Sequence, residues 1–147
     1  SRKVRIMTTT AARLIRDHAE AWSSQNVEHV AAFFTEDCEF EDVPVKIVSH
    51  GTAELKGFLA LTFQALSGFR MDVRRVAVRG DVAALEWIQN GTNLGMFGPL
   101  PPTGKLYSVK TATLLELRHG KIRRAVDYWD LASALKQMGH LREDFMP

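Results

Sequence analysis

Cysteine is nearly missing from this chain of 147 residues: Cys38 stands alone, so no internal disulfide can staple the fold. Stability must come from a buried core, and a chain of this length can bury roughly 70% of its unfolded surface as one domain. No apolar run reaches the ~20 residues of a membrane-spanning helix, and no membrane partner is expected. An excess of one charge is missing too, with 19 basic residues against 17 acidic ones. The basic residues are scattered without an aromatic–basic motif, so no nucleic-acid partner is expected either. The opening SRKVRIMTTT has cations but no apolar segment behind them, unlike a secretory signal. Residues 1–8 read as a disordered or appended leader and residues 9–147 as a single domain, with a cytoplasmic location expected from the lone thiol.

Familiar chemical signatures are lacking as well. His18, His29, His50, His119 and His140 have no metal-ligand spacing and no cysteine pair nearby, so neither a metal nor another cofactor is expected. There is no Gly-x-Ser-x-Gly elbow and no P-loop. The glycines between Gly91 and Lys105 lie between two strand-like runs with no helix following, which suits a hairpin loop over a pocket mouth better than a phosphate cradle.

What is present is a pattern of helices followed by strands. Ala11, Leu14, Ile15, His18, Ala19 and Trp22 recur at helical spacing, predicting an amphipathic helix over 10–24. Asn26 can cap a second short helix whose apolar stripe runs from Val27 to Phe34. CEFEDV alternates as a strand, and His50-Gly51-Thr52 opens a third helix closed by Ser67-Gly68-Phe69. Four strand-like runs follow from Phe69 to Asp130, with turn signals at Gly80-Asp81 and His119-Gly120-Lys121, and Leu131 to Gly139 reads as a terminal helix. This order predicts an α+β fold in which a curved sheet is covered on one face by helices, enclosing a cone-like apolar pocket.

The remaining candidates for chemistry are carboxylates on strands. Asp42 shares a face with Cys38 and Phe40, and Asp127 shares one with Ala125 and Trp129. Inward-facing aspartates in an apolar hollow would have raised pKa values and could act as proton acceptor and donor, or each could be held by an arginine such as Arg123 or Arg124. Asp130 precedes the last helix, where a carboxylate accepts the free N–H groups of the first turn. Asp127 is therefore the chemical candidate and Asp130 the structural one. Trp87 and Gln89 could line the pocket or pack the core, and Met96 and Phe97 could form a lid or a dimer contact.

The element order, with the Gly91-Thr92…Gly95…Pro101-Pro102-Thr103-Gly104-Lys105 loop and the Gly120-Lys121-Ile122 and Asp127-Tyr128-Trp129-Asp130-Leu131 segments, resembles the NTF2-like superfamily. Within it, the chain resembles the SnoaL-like polyketide cyclases and the limonene-1,2-epoxide hydrolases. The likeness implies a cone-shaped fold, a homodimer, and cofactor-free acid–base chemistry on a hydrophobic oxygenated small molecule: cyclisation, isomerisation or hydrolysis. Asp127 matches an aspartate of the epoxide hydrolases, but Trp87 stands at their arginine, Gln89 at their second aspartate, Phe40 at their tyrosine and Asp42 at their asparagine. The expected site is Asp127, Asp42 and Gln89 as catalytic groups, with Phe40, Trp87, Ala125, Trp129, Phe97 and Met96 against the substrate. The alternatives are an epoxide hydrolase with an altered site and a non-catalytic ligand-binding protein.

Overall fold

The computed structural model describes residues 2–145. Helix α1 (Arg2–Ser23) begins earlier than the expected Thr10, so the backbone of the expected leader is helical from Arg2, and Ser1 lies outside the described residues. Helix α2 (Val27–Ala31) is capped by Asn26, whose side chain accepts from the His29 amide at 2.9 Å. It is shorter than expected, because Phe34 and Thr35-Glu36-Asp37 belong to strand β1 (Phe34–Asp42). Strand β2 (Ile47–His50) had no sequence signal strong enough to be expected. Helix α3 (Gly51–Ala65) runs directly into β3 (Leu66–Arg79), so Ser67 and Gly68, expected to close the helix, already belong to the strand that was expected from Phe69. Strands β4 (Val82–Asn93), β5 (Leu106–Arg118) and β6 (Lys121–Trp129) and helix α4 (Leu131–Gln137) follow as anticipated. No helix among the described residues is long and apolar enough to cross a membrane.

The six strands form one curved, open sheet in the order β2-β1-β6-β5-β4-β3, antiparallel except where β1 lies parallel to β6. That parallel pair brings the first strand of the chain beside the last and puts Asp42 opposite Asp127. Helix α1 packs on β3, α3 on β1 and α4 on β5, so the helices cover the inner face. Period-two burial follows: Tyr107, Val109, Thr111, Thr113 and Leu115 of β5 are buried, while Leu106, Ser108, Lys110, Ala112 and Leu114 face outward.

A bulge decides what β6 presents to the interior. Glu116 pairs with Arg124 but Leu117 pairs with Ile122, leaving Arg123 as an extra residue. Ile122 points into the core before the bulge, and Ala125 and Asp127 point into it afterwards. Without the extra residue the same strand would turn Asp127 outward, because one residue of slip exchanges the two faces.

Gly91, near the end of β4, and Gly95, in the long hairpin loop, have packing reasons. A Cβ on Gly91 would sit 2.8 Å from the Tyr107 ring, and one on Gly95 would collide with the Gln64 carbonyl at the end of α3. Gly95 thus lets the loop close onto α3, where its amide donates to the Ala65 carbonyl at 3.2 Å. Asn93, fully buried, ties the loop down further by donating to the Gly95 carbonyl at 2.9 Å and bonding His140 Nε2 at 2.7 Å.

Candidate active site

Asp127 is buried on the inner face of β6 and ends a directional chain of hydrogen bonds. Trp87 Nε1–H donates to Thr113 Oγ1 at 2.8 Å, and Thr113 Oγ1–H donates to Asp127 Oδ1 at 2.6 Å. Indole nitrogen is only a donor, so the threonine hydroxyl accepts from it and gives its single hydrogen to the carboxyl. Asp127 Oδ1 is therefore always an acceptor, and a proton on this group resides on Oδ2. Neither candidate arginine reaches Asp127: Arg123 pairs with Asp37, and Arg124 with Glu39 and Glu116. Burial pushes the Asp127 pKa up to about 7, the Thr113 hydrogen bond opposes the rise, and the negative charge of Asp42 adds to it.

Asp42 lies beside Asp127 in register but has its own partner, accepting from Trp129 Nε1–H at 2.8 Å. Burial raises its pKa to about 6 against that hydrogen bond. Gln89 donates from Nε2 to the Tyr107 hydroxyl at 2.8 Å, and burial holds that phenol well above its ordinary range. Asp130 accepts from the Ser133 amide at 2.9 Å and from its hydroxyl at 2.6 Å, the expected capping role.

The space beside Asp127 is small. Of the anticipated residues, Phe40, Trp87, Ala125 and Asp127 line it together, joined by His18, Trp22, Met71 and Thr113. Asp42, Gln89, Trp129, Met96 and Phe97 do not line it: Met96 is exposed on the loop, and Phe97 bridges Leu100. The cavity has a volume of only about 10 Å³, room for about one water, where small-molecule sites typically have ≈ 300–1,000 Å³. The roomy apolar hollow expected from the sequence is instead occupied by its own aromatic rings. Trp22 packs against Phe40 and Phe69 with ring centroids 5.9 and 5.5 Å apart, and Phe69 lies 6.2 Å from Trp87.

His18 was not expected in the site. Its Nε2 accepts from Trp22 Nε1–H at 2.7 Å, and burial depresses its pKa to about 3, so the ring is neutral. The apolar-stripe spacing from Ile15 to Trp22 places this histidine toward the core, but a single histidine there reads equally well as packing.

The model of the SnoaL-like polyketide cyclases matches residues 12–138, most of the chain. The chain belongs to the SnoaL-like polyketide cyclase family. No curated protein matches this SnoaL-like chain. Among solved structures, it is similar to a hypothetical protein from Catenulispora acidiphila with a ketosteroid isomerase-like fold, in complex with trimethylamine. That match has 25% identity, a TM-score of 0.79, and coverage of 91% of this chain and 97% of the other. It also resembles a candidate SnoaL-like polyketide cyclase from a Jannaschia species, at 18% identity and TM-score 0.80, covering 89% and 92% of the two chains. A candidate polyketide cyclase from Xanthomonas campestris matches at 20% identity and TM-score 0.75, with 89% and 98% covered. The latter two likenesses concern the fold.

The buried carboxyl has a consequence for stability. Folded Asp127 keeps its proton up to about pH 7, whereas the unfolded chain releases it near the ordinary 3.8, so the folded state holds more protons in that window and this group's contribution falls as pH rises through it. Asp127→Asn removes that loss, and the variant should gain on the parent by about 2 kcal/mol between pH ~5 and pH ~8. Urea unfolding at both pH values measures the gain, and a pH-independent difference contradicts it.

Proposed function

We propose that this SnoaL-like chain is a cofactor-free acid–base enzyme in which Asp127 moves a proton at a carbon next to a carbonyl group of a hydrophobic oxygenated small molecule. The observation that carries the reading is the Asp127 carboxyl itself: buried, held by Thr113, facing no cation among the described residues, and raised by burial to a pKa of about 7. As a carboxylate it takes a proton from the activated carbon onto Oδ2, and the C–H electron pair moves into an enolate. The enolate then either bonds to a second carbonyl carbon, closing a ring, or is reprotonated elsewhere. In both cases Asp127 returns the proton, so the step balances without oxidant or reductant.

A single proton shuttle favours cyclisation or isomerisation over hydrolysis, which needs an acid and a base acting on different atoms. The limonene-epoxide type of ring opening has less support, since Trp87, Gln89, Phe40 and Asp42 each make other contacts. Asp42 acts on Asp127 through its charge, and Gln89 holds Tyr107. Substrate admission requires side-chain movement, for which the unbranched Met71 at the cavity wall is suited. The second reading, a non-catalytic binder of small ligands, is favoured by Trp87, Gln89, Phe40 and Asp42 standing where the epoxide hydrolases carry other residues.

The reading extends to a cytoplasmic homodimer joined through the outer sheet face. There Leu114 and Tyr128, each 48% exposed, lie in neighbouring rows beside the exposed Ala84 and Ala112. Sedimentation should show a dimer that Leu114→Glu converts to monomer; a monomeric parent contradicts this interface.

Deuterium uptake at the carbon next to the carbonyl of 2-tetralone in D2O tests the chemistry without the natural substrate. The parent should accelerate uptake with a rise through pH ~7, and Asp127→Asn should lose about 10²-fold or more. Thr113→Val removes the hydrogen bond that lowers the carboxyl pKa, so its profile should shift to higher pH. Equal uptake with the parent and Asp127→Asn would favour the binding reading.

A further inference from the structure

His18 has one ring nitrogen accounted for and one not. Trp22 Nε1–H donates to Nε2, and a donor-only indole forces that nitrogen to be an acceptor. In a neutral imidazole the hydrogen must then sit on Nδ1. Nδ1 is buried with no partner among the described residues, which is uncommon for a polar atom in a core. The ring is locked in place by edge contacts with Phe33 and Phe34 at 6.1 and 5.7 Å. His18 and Asp127 both line a cavity with room for about one oxygen atom, so groups that border it share whatever occupies it.

We propose that the neutral His18 ring presents its Nδ1–H to the oxygen of the substrate carbonyl, beside Asp127, and stabilises the negative charge that the oxygen gains when the neighbouring carbon loses its proton. The inference deepens the acid–base reading of the same site and rests on it. It also restricts the substrate class. The reacting carbonyl must project from an apolar body as a single oxygen, because a carboxylate or phosphate offers several oxygens to a cavity with room for one, where His18 Nδ1 carries the one N–H left unpaired among the described lining residues. A fixed donor aimed at developing charge needs no reorganisation during the reaction, which is where such groups act most strongly. Because the ring stays neutral, it polarises the oxygen without competing with Asp127 for the proton.

Two measurements on the intact protein test this, with 4-nitrophenol as a probe whose hydroxyl mimics an enol. Nitrogen-15 correlation spectra of the parent should show the His18 hydrogen on Nδ1, with its resonance moving when the probe is added. His18→Phe, which keeps a ring of similar bulk, should weaken probe binding at least tenfold and slow 2-tetralone exchange at least tenfold while leaving the pH midpoint of exchange unchanged. His18→Asn, which retains an N–H donor, should bind the probe more tightly than His18→Phe. A hydrogen on Nε2, or equal probe affinity in the parent and His18→Phe, overturns the inference. If exchange is lost in Asp127→Asn but unaltered in His18→Phe, the role of Asp127 stands and that of His18 falls. If Asp127→Asn exchanges as fast as the parent, the acid–base reading fails.

Discussion

Ionising a carboxyl in an apolar interior carries a large desolvation penalty unless a cation or several hydrogen bonds offset it. Among the described residues, Asp127 has one side-chain hydrogen bond, from Thr113, and no cation, because the neighbouring arginines are engaged by Asp37, Glu39 and Glu116 on the other side of β6. The proton on this group is consequently held weakly enough to leave and strongly enough to return near neutral pH. Every chemical property of the site depends on that balance. The indole of Trp87 fixes the threonine hydrogen, the threonine fixes which carboxyl oxygen is free, and Asp127 lines the cavity that His18 also borders.

The fold produces this balance through sheet geometry. The parallel β1–β6 pair sets a second carboxyl, Asp42, beside the first, and the bulge at Arg123 turns Asp127 inward while Arg124 stays at the surface with its acidic partners. Helix α1 supplies His18 and Trp22 from the opposite side, so the site is made where helix and sheet meet. The aromatic rings that fill the cone exclude water, which strengthens the electrostatic coupling between the two aspartates.

Local signals made much of this legible in advance. Gly80-Asp81 and His119-Gly120 marked the hairpins because their turns need positive φ, which Gly80, His119 and Gly120 adopt. Asp130 could be separated from Asp127 because a helix start accounts for one carboxylate and nothing local accounts for the other. The missing pieces depended on partners distant in sequence. Strand β2 is four residues long and gains its identity only by pairing with β1. Phe34 has helical spacing with Val30 yet pairs with Ile122 in the sheet. His18 became a site residue only when α1 was folded over the sheet, and the volume of the hollow followed from how Trp22, Phe40, Phe69 and Trp87 interlock, which no periodicity encodes.

The most direct measurement is the titration of the Asp127 side-chain carboxyl itself, followed by carbon-13 chemical shift in the folded protein. A midpoint near 7, well above that of exposed aspartates, is the expected result. A midpoint at the ordinary 3.8 would mean that the carboxyl is solvated or paired, and the proton-shuttling account would be wrong.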